Sequence, residues 1–226
     1  MNLKINYNDI SGRVKKKKYY LMRKLELKMI DGLILLIPPF VETYHLTLIT
    51  IPLSALMILF SFLARKNLNW LWGNSLIIII QYIADALDGE IGRRRKTGLI
   101  KWGFYADHFL DFVFAASVVG GYLIIFPQDF PILFLSLFSI AGFFVHELLV
   151  AVGKGTYNVA GYYGLGAPQV WMMLIALNIF IVAFNPSSIT TIFIIIFLVF
   201  FTTLTIESYK TQKQLWRLDM GNKKKS

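Results

Sequence analysis

Runs of apolar residues long enough to cross a bilayer recur along this chain, and they leave few folds open to it. A helix needs about 20 such residues to cross the hydrocarbon core, and only helices or closed barrels satisfy their backbone hydrogen bonds there. Six runs have that length, at 46–64, 70–89, 102–126, 130–152, 167–184 and 188–207. With 56% of its 226 residues hydrophobic and a mean hydropathy of +0.59, the chain is too apolar for a soluble domain of its size. The pattern predicts an all-α integral membrane protein with six transmembrane helices over residues 46–207, a basic segment 1–45 before them and a basic tail 208–226 after them. Asn67 to Asn69, Pro127 with Asp129, and Asn185-Pro186-Ser187 are helix stops at one set of ends. Charged or glycine-rich segments stop the helices at the other.

Basic residues set the orientation, because Lys and Arg collect on the cytoplasmic side of short loops. Nine fall in 1–45, five in 90–101, one at Lys154 and six after Glu207, against only Arg65 and Lys66 on the other side. Both termini are therefore expected in the cytoplasm. This topology, with anionic headgroups beside it, accounts for the net charge of +10, so membrane lipids are expected as partners and nucleic acid is not. Within 13–30, Val14, Leu21, Met22, Leu25 and Met29 lie near one helical face, and Lys15 to Lys18, Arg23, Lys24 and Lys28 lie largely off it. That arrangement predicts an N-terminal interfacial amphipathic helix. The absence of Cys excludes disulfides and thiolate chemistry. No cleavable signal peptide is expected, since the first apolar run, Leu33 to Ile37, is short and ends in Pro38-Pro39.

Against this background four aspartates stand out: Asp85, Asp88, Asp107 and Asp111. Carboxylates are costly beside a bilayer, so their presence at the ends of two spans marks a site. Residues three or four apart on a helix share a face, which pairs Asp85 with Asp88 and Asp107 with Asp111. A short connection between the spans makes them antiparallel neighbours and brings the pairs together. Four converging carboxylates call for cations, and hard oxygen ligands without Cys favour Mg²⁺ or Mn²⁺; two such ions can also hold a pyrophosphate. Gly89 and Gly103 flank the connection, where a missing Cβ lets backbones approach or admits a flat ligand such as a nucleotide. Arg93 offers a fork of donors to phosphate, and Arg94, Arg95 and Lys96 raise the local potential.

The string Asp85-x2-Asp88-Gly89-x2-Gly92-Arg93-x9-Gly103-x3-Asp107-x3-Asp111 resembles the signature of the CDP-alcohol phosphotransferases, D-x2-D-G-x2-A-R-x8-9-G-x3-D-x3-D. Seven of its eight fixed positions are present, and Gly92 stands where the family prefers Ala. The resemblance implies that the four aspartates hold two divalent ions, and that Gly89, Gly92, Arg93 and Gly103 line the cytidine-diphosphate pocket. It implies Asp111 as general base and a homodimer. The implied reaction transfers a phosphatidyl or phosphoaminoalcohol group from a CDP-alcohol donor to an alcohol or lipid acceptor, releasing CMP. His108 is the rival base: Asp107-His108 followed by Asp111 is similar to the Asp-His-Gly-Cys-Asp stretch of choline and ethanolamine phosphotransferases, with Phe109 and Leu110 in place of Gly and Cys.

Beyond the signature, His146 and Glu147 sit inside the fourth span and Lys154 at its end, all candidates for an acceptor site. The glycine-rich loop 153–166 matches no phosphate-cradling spacing. No Arg lies between Arg95 and Arg217, and Lys154 is the only Lys between Lys101 and Lys210, which favours an uncharged or zwitterionic acceptor over a phosphorylated one. The alternative reading is a small transporter or cation-binding membrane protein using the same aspartates. It requires a polar path across the bilayer, and the far halves of the spans are nearly free of ionisable groups.

Overall fold

The computed structural model describes residues 23–95, 99–154, 167–186 and 188–223. Residues 13–22 of the expected interfacial helix, most of the loop 153–166 and the last three residues lie outside them. The described residues form eight α-helices and no strand: α1 Arg23–Ile34, α2 Thr43–Leu48, α3 Thr50–Ala64, α4 Leu71–Arg95, α5 Ile100–Ile125, α6 Phe130–Lys154, α7 Ala167–Phe184 and α8 Thr190–Lys223. Short 3₁₀ turns, Leu68–Trp70 and Pro127–Asp129, precede α4 and α6. Among the described residues five helical stretches are long and apolar enough to cross a membrane: Thr43–Ala64, Leu68–Arg95, Lys101–Ile125, Pro127–Gly153 and Thr190–Gly221. The sixth apolar helix is shorter, Pro168–Phe184.

Two helices run past the charged residues at which the sequence pattern predicts a stop. The second helix continues through Arg95 and the last through Lys223. Lys, Arg, Glu and Gln are good helix formers, so a charged run ends the apolar stretch without ending the helix. The first span begins earlier, at Thr43, and is stepped at Ile49. Pro52 has no N–H to offer the carbonyl of Leu48, which accounts for the break. True stops occur at Asn67, whose side chain accepts from the Asn69 N–H at 3.0 Å, and at Asn185, which takes the left-handed conformation, φ 41°, after α7.

The main core lies among α3, α4, α5 and α7, with Met57, Leu71, Ile78, Phe114 and Ile181 almost fully buried. Helices α6 and α8 pack on each other and leave Phe138, Leu149, Ile195 and Phe201 exposed, as lipid-facing surfaces do. A smaller cluster of Ile30, Leu87 and Ile91 seats α1 against the end of α4. Helices α4 and α5 both pack on α2 and α3 rather than extensively on each other. The short connection between them thus leaves a gap between antiparallel helices instead of a tight hairpin.

Polar contacts fix these helices where no water competes. Asn74 donates to Ser61 Oγ at 2.9 Å, Gln81 to Thr50 Oγ1 at 3.0 Å, and Asn178 joins Tyr122 to Ser75 across α7, α5 and α4. At the opposite end of the bundle the buried Asp129 accepts from the Thr190 hydroxyl, tying the start of α6 to the start of α8. Its Oδ2 has no hydrogen-bond partner among the described residues. Thr190→Val removes the remaining side-chain donor from a buried carboxyl, and is expected to cost about 1–3 kcal/mol of stability, readable as a lower unfolding temperature in detergent. An unchanged temperature would show that this tie bears no load.

Candidate functional site

Helix periodicity places Asp85 on α4 and Asp107 with Asp111 on α5, facing the gap between the two helices. One oxygen from each lies within 4.8 Å of the others. Asp85 is exposed, while Asp107 and Asp111 are half-buried, so the group opens outward from the bundle. Like charges so close repel strongly where the dielectric is low. The donor set, three carboxylate oxygens at coordinating separation, fits a hard divalent cation.

Asp88, the fourth expected ligand, does not join this group of three. Its Oδ2 accepts a hydrogen bond from Thr47 Oγ1 at 2.9 Å, and Thr47 is buried on α2. Asp88 still acts through space on Asp111, as do Asp85, Asp107 and Glu147. Glu147 therefore belongs to the same field, brought from α6 by the packing of α6 on α5.

Beside Asp107, His108 turns its Nδ1 to the Phe104 carbonyl at 2.7 Å and rests its ring 4.3 Å from that of Phe104. A carbonyl oxygen only accepts, so Nδ1 carries the proton of the neutral ring and Nε2 keeps the lone pair. His146 Nδ1 lies 3.4 Å from Ser208 Oγ on α8. Lys154 closes α6, and its side chain lies outside the described residues.

The glycines divide. A Cβ on Gly103 would meet nothing within 4 Å, whereas one on Gly92 would press on Thr43 Cγ2 at 3.2 Å and one on Gly89 on Arg93 Nη1 at 3.3 Å. Gly103 faces open space, while Gly92 makes room for α2. The arginines are already committed. Arg93 pairs with Glu90 Oε2 at 2.6 Å, and Arg94 joins Glu90 Oε1 at 2.7 Å and also Asp31 of α1. Arg95 spans the carbonyls of Ile37, Pro38, Pro39 and Val41, the closest at 2.6 Å. Of the three, only Arg93 has both the exposure and the simple partner that would let it turn to a phosphate.

Sequence reasoning missed Thr47 as the partner of Asp88 and Glu90 as the anchor of the arginines. The second had a visible signal, since Glu90 stands three and four residues before Arg93 and Arg94. The first had none, because its partner is 41 residues away. No family model matches this chain, and no curated protein does.

Proposed function

We propose that this chain is a CDP-alcohol phosphotransferase of six membrane spans, with an interfacial N-terminal helix and a site that faces the cytoplasm. The reading rests on one observation above the rest: a carboxylate oxygen of Asp85 comes within 4.8 Å of those of Asp107 and Asp111, the meeting that the spacing of the sequence signature anticipates. The five long apolar helices, with the shorter Pro168–Phe184 as sixth, support the span count. The one-sided distribution of Lys and Arg supports the orientation.

Divalent cations held by Asp85, Asp107 and Asp111, with Asp88 beside them, would neutralise the donor pyrophosphate and orient its β-phosphorus for in-line attack. The open face of Gly103 leaves room for the cytidine-diphosphate moiety, and Arg93, released from Glu90, supplies donors to its phosphates. Asp111, half-buried and close to both helices, takes the proton of the acceptor hydroxyl. Glu147 and His146 border the acceptor on the α6 side. The products are CMP and the phosphodiester of the acceptor.

The test is CMP release by the purified protein from a panel of CDP-alcohols and alcohol or lipid acceptors, with Mg²⁺ or Mn²⁺. One donor–acceptor pair is expected to give metal-dependent turnover that EDTA abolishes. No CMP from any pair, with protein that still unfolds cooperatively, would sink the proposal.

Thr47 offers a subtler check. Partners of a metal-site carboxylate commonly change metal affinity by 10–100-fold when lost, so Thr47→Val is expected to weaken Mg²⁺ or Mn²⁺ binding by about tenfold, while Thr47→Ser keeps it. Both are readable from the metal dependence of thermal unfolding. Equal affinity in the two variants would mean that Asp88 needs no orientation by Thr47.

A further inference from the structure

Past Glu207 the apolar stretch of α8 ends but the helix does not. At 1.5 Å per residue α8 is about 51 Å long, against about 40–45 Å for a bilayer with its headgroups. Past a hydrocarbon core of about 30 Å, its last four turns therefore cross the headgroup layer and reach beyond it. They emerge on the side of the carboxylate group, since Ser208 lies beside His146, next in sequence to Glu147.

Three faces of this segment have different fates. Leu204 and Leu215 lie over Gly142 and Gly153 of α6, so with Ser208 they mark the face turned to α6. At 100° per residue, Lys210, Lys213 and Arg217 fall on another face, where with Gln214 and Leu218 they line one shallow groove. The carboxyl of Asp219 falls opposite that stripe. Glu207 takes part of the charge of Lys210, at 2.8 Å, and Lys213 stands 5.8 Å from the centre of the Tyr209 ring. Tyr209 and Trp216 are 63% and 67% exposed and flank the basic stripe along one edge, between it and the face turned to α6. Tyr and Trp favour the headgroup level of a membrane, and a basic stripe there complements phosphate.

We propose that Lys210, Lys213 and Arg217 form a binding face for the phosphate groups of anionic phospholipids in the leaflet where α8 emerges. The helix end is seated on the membrane by these charges, with Tyr209 and Trp216 beside them at the interface. This face does not depend on the phosphotransfer reading, because it requires only that α8 crosses the membrane.

The experiment uses the full chain in vesicles of phosphatidylcholine and phosphatidylglycerol, with spin-labelled forms of each lipid as probes. The fraction of motionally restricted label gives the preference for phosphatidylglycerol. The variant K210Q/K213Q/R217Q is expected to lower that preference by at least about threefold, and Arg217→Glu alone to lower it measurably. Millimolar inorganic phosphate at fixed ionic strength is expected to leave the wild-type preference intact. An unchanged preference in the triple variant would overturn the proposal. So would loss of the wild-type preference to inorganic phosphate, which would make this a soluble-anion site.

Discussion

Asn in place of Asp107, or of Asp85, is expected to lower CMP release by at least about a thousandfold while leaving the fold intact. Each supplies one of three oxygens within 4.8 Å, and an amide oxygen brings no charge to a site that must hold a dication. Several kcal/mol of transition-state stabilisation vanish with it, and each 1.36 kcal/mol is about tenfold in rate. A second signature separates this from mere damage. Without metal the three carboxylates repel one another, so removing one is expected to leave the unfolding temperature unchanged or higher. Added Mg²⁺ or Mn²⁺ is expected to raise the temperature of the wild type, by mass action on the folded state, and to raise that of the variants far less. A variant that turns over normally and keeps the full metal-dependent rise would take its aspartate out of the site.

That the three carboxylates meet was legible in the sequence because helical periodicity fixes direction: residues three or four apart must share a face, and a short connection must return the second helix beside the first. What periodicity does not carry is the company each side chain keeps. Asp88 and Asp85 share a face on a helical wheel, yet Asp88 turns to Thr47 because α2 packs against α4 at that level, a fact of tertiary structure alone. The arginines show the same limit. Their charge suggested phosphate binding, but Arg95 is held by four backbone carbonyls of residues 37–41, and no local pattern announces that loop's return. The gap between α4 and α5 was likewise hidden. Gly89 and Gly103 permit close approach or open space equally, and only the packing of both helices on α2 and α3 selects the space.

The scarcity of cations between Lys101 and Lys210, which favoured an uncharged acceptor, also reads differently in three dimensions. Helix α8 brings Ser208 beside His146, so Lys210 stands less than a turn beyond the level of His146 and Glu147, on the same side of the bundle as Asp111. Sequence distance made the region look bare of charge. The stripe of Lys210, Lys213 and Arg217 points away from α6, however, and Glu207 partly neutralises its nearest member. On the proposed reading, the acidic side chains around Asp111 still favour an uncharged or zwitterionic acceptor.

Asp111→Asn is expected to lose turnover by about 10²–10⁴-fold even with donor and metal bound, the range that a general base contributes, while His108→Ala keeps measurable activity. Geometry separates the two candidates. Asp111 shares its face of α5 with Asp107 and lies within the group of three, where an attacking hydroxyl would meet the donor. His108 is one residue on from Asp107, about 100° around the helix, and its Nδ1 is engaged by the Phe104 carbonyl at 2.7 Å. The same hydrogen bond leaves Nε2 with a lone pair, so the histidine is chemically competent if its ring faces the acceptor. Loss of activity in Asp111→Asn does not by itself identify a base, because Asp111 also stands among the metal-ligand candidates. Donor affinity and the metal-dependent rise in unfolding temperature must be measured alongside, so that turnover is compared with donor and metal saturating in both proteins. If His108→Ala instead binds CDP-alcohol and metal normally and is as inactive as Asp111→Asn, Nε2 of His108 is the proton acceptor. The site then aligns with the aminoalcohol phosphotransferase branch, whose stretch Asp107-His108 and Asp111 resembles.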